Sequence, residues 1–388
     1  MGISKAVAKR VRNGEIDFWK FICSIIIVVH HSYKILDEAH YYYWGALCVD
    51  FFFIVTGFLL ASSIFYKNQP YDRETIGQET SAFIFKKYKT IGYYFLFAIV
   101  FSLSGRVFRY GLEKTFLTPK IFHTIFDFFM LNQTGLPSNN IINANWYLSA
   151  MFIGLFIIYP IFRKNKNTFV HIIAPLAAVL IYGCFTQADK AIIYPKIWYM
   201  LVKRGVFRAI AGFCAGAVAY RFAQLLKNCI FAKSKYFGTF LSFVGLAAMI
   251  VPIIFMYVMK TRTLEMFVIF CFFIAMIIIG SQMSSISKRF NRPLFQYLGK
   301  LSTAIYLCHL PIIQWVNFFA EKITFFANIK NHEQGSILIT IVFVVSSILL
   351  AMLCIAVCDP IIAKLEAKIA EKKKNLAETE VVNNSKEI

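Results

Sequence analysis

Ten runs of about twenty apolar residues each divide this chain, and a water-soluble core has no room for them. The runs lie at about 16–35, 44–66, 90–107, 146–163, 169–185, 205–222, 237–259, 265–283, 301–320 and 336–358, each long enough to cross a hydrocarbon layer as a helix. Composition agrees: 59% of the 388 residues are hydrophobic and 16% charged, with 42 Phe and 20 Tyr, so a lipid bilayer must solvate most of the surface. The expectation is an all-α polytopic membrane bundle of about ten transmembrane helices.

The net charge of +21 raises the question of nucleic acid. The basic residues are spread through loops between apolar runs, without the clustered patch and interleaved aromatics of a nucleic-acid groove, so no nucleic-acid partner is expected. Alternate loops carry about twice as many Lys and Arg as the others, which by the positive-inside rule puts both termini in the cytoplasm. The nine cysteines include no Cys-x-x-Cys pair and fall mostly inside apolar runs; neither structural disulfides nor a metal site is expected. Ala6 stands where a myristoylation signal wants Ser or Thr, and no signal-peptide cleavage site follows the first run.

Two long loops, at about 107–145 and 186–204, fall on the opposite side. The first contains IFHTIFDFFML, from Ile121 to Leu131, with Phe122, Phe126 and Phe129 at helical spacing; it is too short to span and reads as interfacial or re-entrant. The expected division is a transmembrane domain over 1–363 and a charged cytoplasmic tail over 364–388, a short helix and then disorder.

Charges inside a hydrocarbon span cost several kcal/mol unless paired or hydrated, which makes them candidates for function. The first run holds Asp17, Lys20, His30 and His31. Eleven residues separate Lys20 from His31, a rotation only ~20° beyond three full turns, so the two share a helix face with Ser24 while His30 lies ~80° away. The rise between them is ~16 Å, putting a cation near one boundary and an imidazole in the opposite half of the membrane. Asp50, in the second run, lies at a similar depth to His31, and a His31–Asp50 contact would make a base and its orienter. Lys20 reads equally well as a residue snorkelling to headgroups with Asp17 as its partner, and Arg208 as an anchor or an anion ligand.

Five segments then resemble the acyltransferase-3 family of integral membrane O-acyltransferases. The first helix, with Asp17, Lys20 and His31, is similar to that family's Asp, Arg or Lys, ten residues, His pattern. VDFFFIVTGFLLASS (Val49 to Ser63) looks like its Phe-Phe-x-x-Ser-Gly-Phe segment, with Thr56 in place of Ser. NANWYLSAMFIGLFIIYP (Asn143 to Pro160) resembles its Trp-Tyr-Leu-Ser segment, RGVFRAIAGFCAGAVAY (Arg204 to Tyr220) its Arg-bearing, Gly-rich middle helix, and YLGKLSTAIYLCHLPI (Tyr297 to Ile312) its Leu-Gly-x-x-Ser-x-x-x-Tyr-Leu-x-His segment. Two departures stand out: Lys20 replaces the more usual Arg, and KKYKTIGYY (Lys86 to Tyr94) lacks the later Arg and the Pro of the family's basic loop. Lys binds phosphate less well than a bidentate Arg.

The resemblance implies transfer of an acyl group, commonly acetyl, from cytoplasmic acyl-CoA as co-substrate to a hydroxyl of a cell-surface glycan or lipid-linked saccharide, with no resident cofactor and no metal. It implies a multi-pass protein of the cell membrane, the cytoplasmic membrane of a bacterium. His31 is then expected as general base with Asp50; Lys20, Lys86, Lys87, Lys89 and Arg208 as ligands of the coenzyme A phosphates; and Ser24, Trp146, Tyr147, Ser149, Tyr306 and His309 on the substrate side. The competing reading from another class is a transporter or flippase for a polar or lipid-linked solute, which predicts paired broken helices and an internal repeat; neither is visible in the sequence.

Overall fold

A computed structural model describes residues 12–36, 41–67, 71–112, 120–138, 142, 145–188, 192, 198–199, 201–258, 264–322 and 333–384. These form α1 (Gly14–His30), α2 (Cys48–Tyr66), α3 (Ile76–Tyr110), α4 (Lys120–Phe128), α5 (Asn145–Lys164), α6 (Ala174–Ala188), α7 (Arg204–Lys227), α8 (Lys235–Val258), α9 (Glu265–Ser281), α10 (Pro293–Lys322) and α11 (Glu333–Asn384). A π-helical turn, Phe169–Ile173, leads into α6, and a two-residue hairpin, Trp198–Tyr199 with Val202–Lys203, precedes α7. Apart from the short α4, the helices coincide with the ten expected spans. Among the described residues, seven helical stretches are long and apolar enough to cross a membrane.

Several boundaries differ from the sequence reading: α1 ends at His30, which leaves His31 in the 3-10 turn His31–Lys34, and α10 begins at Pro293 rather than near 301. α3 begins at Ile76 rather than near 90, so Lys86, Lys87 and Lys89 lie on a helix and not in a loop; without a proline there, nothing interrupts the backbone hydrogen bonds. α11 continues through Asn384, where disorder was expected beyond a short helix, and it runs across the 363/364 boundary; the tail is rich in Ala, Glu, Lys and Leu, all strong helix formers. The aromatic stretch is the helix α4, ending at Phe128. The N-terminal segment 1–11 and parts of both long loops lie outside the described residues.

Contacts between helices give their directions. Along α1, Arg12 Nη2 donates to Gln296 O (3.1 Å), Lys20 Nζ to Gly299 O (3.3 Å), and His31 meets His309, so α1 and α10 run parallel. Along α2, Asp50 meets Arg208, Gly57 meets Phe213, and Phe58 stacks edge-on against Tyr220, so α2 and α7 are parallel too. First and ninth long helices point one way, second and sixth the other, as alternating passes through a membrane require.

The innermost helix is α2: 83% of its apolar stretch is buried, against 33–39% for α3, α6, α8 and α11, whose Phe243, Leu180 and Leu349 face outward into what would be lipid. In lipid, helices associate through close packing rather than hydrophobic force, so contacts between them use small residues. A side chain at Gly57 would sit 2.1 Å from Phe213 O, and one at Gly216 2.0 Å from Ile54 O, so the backbones of α2 and α7 touch. Gly212 and Gly216, four apart, lie on one face of α7.

One ion pair fixes the same two helices. Arg208 Nε donates to Asp50 Oδ1 at 3.0 Å and Nη2 to Oδ2 at 2.5 Å, with both side chains completely buried. Arg208 Nη2 also donates to Ala46 O (3.0 Å), and the Tyr182 hydroxyl on α6 donates to Asp50 Oδ1 (3.4 Å). Three helices therefore meet at one carboxylate.

Two outcomes follow for stability. Gly216→Leu must force α2 and α7 apart at a cost of at least about 1–3 kcal/mol, and should remove the monodisperse peak in detergent size-exclusion chromatography. Gly183→Leu on α6, where nothing lies within 4 Å, should leave that peak in place. Asp50→Asn leaves a buried guanidinium without its counter-charge, a loss of about 3–5 kcal/mol, read as a lowered thermal midpoint. The pair Asp50→Leu with Arg208→Met, which removes both charges, should recover most of it.

Candidate active site

The site is built along the parallel seam between α1 and α10. At the end where α1 begins, the Asn13 side chain caps the helix by accepting from Glu15 N (3.1 Å) and Ile16 N (3.3 Å), and its Nδ2 donates to Ile279 O (2.8 Å), which ties the start of α1 to the end of α9. Four residues on, Asp17 pairs with Arg12 (2.5 Å) and more loosely with Lys20 (3.6 Å). Gly299 lets α10 approach here, since a side chain on it would meet Asp17 Oδ1 at 2.0 Å.

Beside this point opens a cavity of about 890 Å³, lined by Arg12, Lys20, Lys67, Lys86, Lys87 and Lys300 with Glu79 and Tyr94. Several of these cations have partners: Glu79 accepts from Lys67 (2.6 Å), Arg163 (2.8 Å) and the Tyr159 hydroxyl (2.6 Å), and Asp359 accepts from Lys300 and from the Tyr94 hydroxyl (2.5 Å). Among the described residues, Lys86 and Lys87 form no ion pair with a carboxylate. The cavity thus carries uncompensated positive charge, the condition for holding an anion such as a phosphate. Lys89, turned ~200° round α3 from Lys87, does not line it.

Lys20 and Lys87 also line the mouth of a smaller chamber of about 140 Å³, enclosed by α2, α3, α5 and α10. Beyond these ammonium groups its walls carry no charge and include Phe52, Leu148, Met151, Leu307, Tyr147 and Tyr306 with the hydroxyls of Thr56, Ser302 and Thr303. A third cavity of about 500 Å³, on the other side of Lys20, is lined by Arg12, Asp17, Tyr220, Gln224, Lys227 and Gln282 among others. Lys20 is common to all three spaces.

On α10, Ser302, Tyr306 and His309 follow at i, i+4 and i+7 and form one stripe. Ser302 donates to Lys20 O (2.9 Å), the rings of Tyr306 and His309 are 5.8 Å apart, and His309 faces His31 across a ring separation of 5.1 Å. The histidine pair thus lies just beyond the chamber wall, at the end opposite the lysines.

Hydrogen bonding fixes the tautomers of the pair. His309 Nδ1 lies 3.2 Å from Ile305 O, and His31 Nδ1 lies 3.0 Å from Ile27 O; a carbonyl only accepts, so both Nδ1 atoms carry hydrogen. His309 Nε2 is then a lone pair, 3.2 Å from His31 Nδ1, and shares that hydrogen with Ile27 O. What remains is His31 Nε2, an unprotonated nitrogen available to take a proton. His30 is turned away, its Nδ1 donating to Tyr42 O (2.9 Å).

The remaining expected residues divide. Tyr147 and Tyr306 meet at 5.1 Å beside the chamber. Asp50, expected to orient His31, is engaged instead by Arg208 and Tyr182, and the neighbour on His31 is His309. Arg208, expected as a phosphate ligand, is buried at the histidine end, its charge spent on Asp50 and its guanidinium 5.3 Å from the Trp146 ring; that geometry gives Trp146 a packing role. Ser24 is completely buried and donates to Phe21 O of its own helix (2.7 Å), so the shared face delivers no hydroxyl there. Ser149, also buried, accepts from Gln133 N (3.0 Å) and anchors a turn. The role of His309 as neighbour to His31 is the feature the sequence reading missed. Its signal was available in the Tyr-Leu-x-His spacing, but the pairing of first and ninth helices was not.

The acyltransferase-3 family model, described as an acyltransferase domain, matches residues 13–356. No curated protein and no solved structure matches the chain. The matched region takes in every helix from α1 to α10, His31 and His309, and the lysines of the cavity. The chain belongs to the acyltransferase-3 family and is a multi-pass membrane acyltransferase.

Proposed function

We propose that this protein moves a short acyl group, acetyl in the first instance, from cytoplasmic acyl-CoA to a hydroxyl of a cell-surface glycan or lipid-linked saccharide, with His31 as general base. The observation that carries the reading is the His31–His309 pair standing one helical turn beyond a chamber whose other end holds uncompensated lysines. A ligand with an anionic head and a reactive thioester tail fits such a path. Its phosphates lie among Lys20, Lys86 and Lys87, and its pantetheine arm runs through the chamber toward Tyr306.

In the reaction, His31 Nε2 accepts the proton of the acceptor hydroxyl as its oxygen attacks the thioester carbonyl. The C–S bond then breaks, the acyl group stays on the acceptor oxygen, and the thiolate leaves and is protonated from the imidazolium. His309 acts as a positioning residue: its Nε2 lone pair holds the His31 Nδ1 hydrogen, which keeps the opposite nitrogen free and steadies the ring when it is charged. Because His31 is exposed enough to be reached while His309 is completely buried, the acceptor meets His31 first.

The experiment is acetyl-CoA turnover and binding by detergent-purified protein. His31→Ala should lower turnover ~10²–10⁴-fold with acetyl-CoA binding retained. Full turnover in that variant, or no binding of acetyl-CoA by the wild type, would overturn the reading. His309→Ala should lower kcat ~10–10²-fold at nearly constant KM, and His309→Gln, which keeps an acceptor oxygen, should lose less. Lys86→Gln and Lys87→Gln should each raise KM for acetyl-CoA up to about tenfold and flatten its dependence on salt, while kcat holds.

A further inference from the structure

The chamber between the lysines and Tyr306 has an apolar side on α5 that the chemistry above does not use. We propose that Leu148 and Met151 on α5 form the stop that sets acyl-chain length, and that they restrict the enzyme to acetyl and propionyl donors. This rests on the acyl-CoA reading of the same site.

Three observations support it. The first is size: about 140 Å³ is the space of roughly five water molecules at ~30 Å³ each, and the end of the pantetheine arm must share it. The second is charge: apart from Lys20 and Lys87 the lining carries only hydroxyl, aliphatic and aromatic side chains, so the part of the ligand that passes the lysines is uncharged. The third is position. His309 follows Tyr306 by one turn of α10, so a thioester carbonyl presented to His31 lies next to the Tyr306 ring. There the Tyr147 ring, 5.1 Å from Tyr306, and the Phe52 ring, 6.1 Å from both, close the space on one side. Leu148 and Met151, one helical turn apart on α5 with 2% of each exposed, line the same chamber beside Tyr147, so carbons beyond the carbonyl meet these two side chains.

A pocket wall discriminates by one methylene at ~10–200-fold. Leu148 holds a fixed shape and Met151 an adaptable one, so Met151 is the position where space can be opened with least disturbance.

The test is binding of acetyl-CoA, butyryl-CoA and hexanoyl-CoA to the full-length protein in detergent, by thermal shift titration, for wild type, Met151→Ala and Leu148→Ala. Wild type should bind butyryl-CoA at least tenfold more weakly than acetyl-CoA. In Met151→Ala the two affinities should come within about threefold of each other, with hexanoyl-CoA still excluded. Leu148→Ala provides a second variant should Met151→Ala fail to give a monodisperse preparation. If acetyl-CoA binds but the butyryl to acetyl ratio is the same in wild type and in both variants, Leu148 and Met151 are not the stop. Equal binding of all three donors by the wild type overturns the proposal as well. If no acyl-CoA binds the wild type, the acyl-CoA reading itself fails and takes this inference with it.

Discussion

The structure depends on a charge pair that lipid leaves no alternative to forming. A carboxylate at the depth of Asp50 has no water to ionise into, and a guanidinium at the depth of Arg208 is costlier still, so each is tolerable only against the other. Their contact sets the rotation of α2 and α7 at one level, and Tyr182 brings α6 to the same carboxylate. A few turns away, Gly57 and Gly216 allow the two backbones to touch. Polar pairing thus fixes register while small residues fix distance, a division of labour suited to a medium in which apolar side chains have no preference for one another over lipid.

With α2 and α7 locked as a central pair, α1 and α10 form the seam that carries the candidate site. Parallel direction matters here. In an antiparallel pair, a cation near the start of one helix would face the end of the other; in a parallel pair, like depths align. Lys20 meets Gly299 and Ser302, and His31 meets His309, so one seam presents charge at one level and imidazole at another. The ~16 Å rise between Lys20 and His31 gives the path its length, and α3, as an uninterrupted helix, adds Lys86 and Lys87 to its mouth.

Much of this was legible in the sequence because it is local. Ten apolar runs gave ten long helices, and the angle between Lys20 and His31 followed from helical geometry alone. What was not legible was which helices would meet. Asp50 and His31 lie at similar depths on consecutive helices, which made them natural partners, but depth leaves rotation open and α2 turns Asp50 toward α7. Ser24 shows a related gap: a hydroxyl on the correct face still prefers the carbonyl three residues back when nothing else reaches it. Arg208 was read as an anchor or an anion ligand; it has an anionic partner, and that partner is internal. The start of α3 and the end of α11 were misplaced for a different reason, since both segments are helix formers without the apolar pattern by which the spans were found.

The separation of lysines from histidines along the seam bears on why such a reaction would be housed in a bundle. An activated thioester is consumed by any nucleophile, water included, that reaches it beside a base. On the proposed reading the base is at one end and the anion-binding charge at the other, and the chamber between them, about 140 Å³ in volume, is narrow and largely aromatic and aliphatic. A donor filling that space displaces the water, and the acceptor approaching His31 from the opposite end then meets a carbonyl with little competition. On the proposed reading, the same narrowness that excludes water is what limits the acyl chain. Selectivity for the acceptor over water and selectivity for a short donor would then be two consequences of one close approach among α2, α5 and α10.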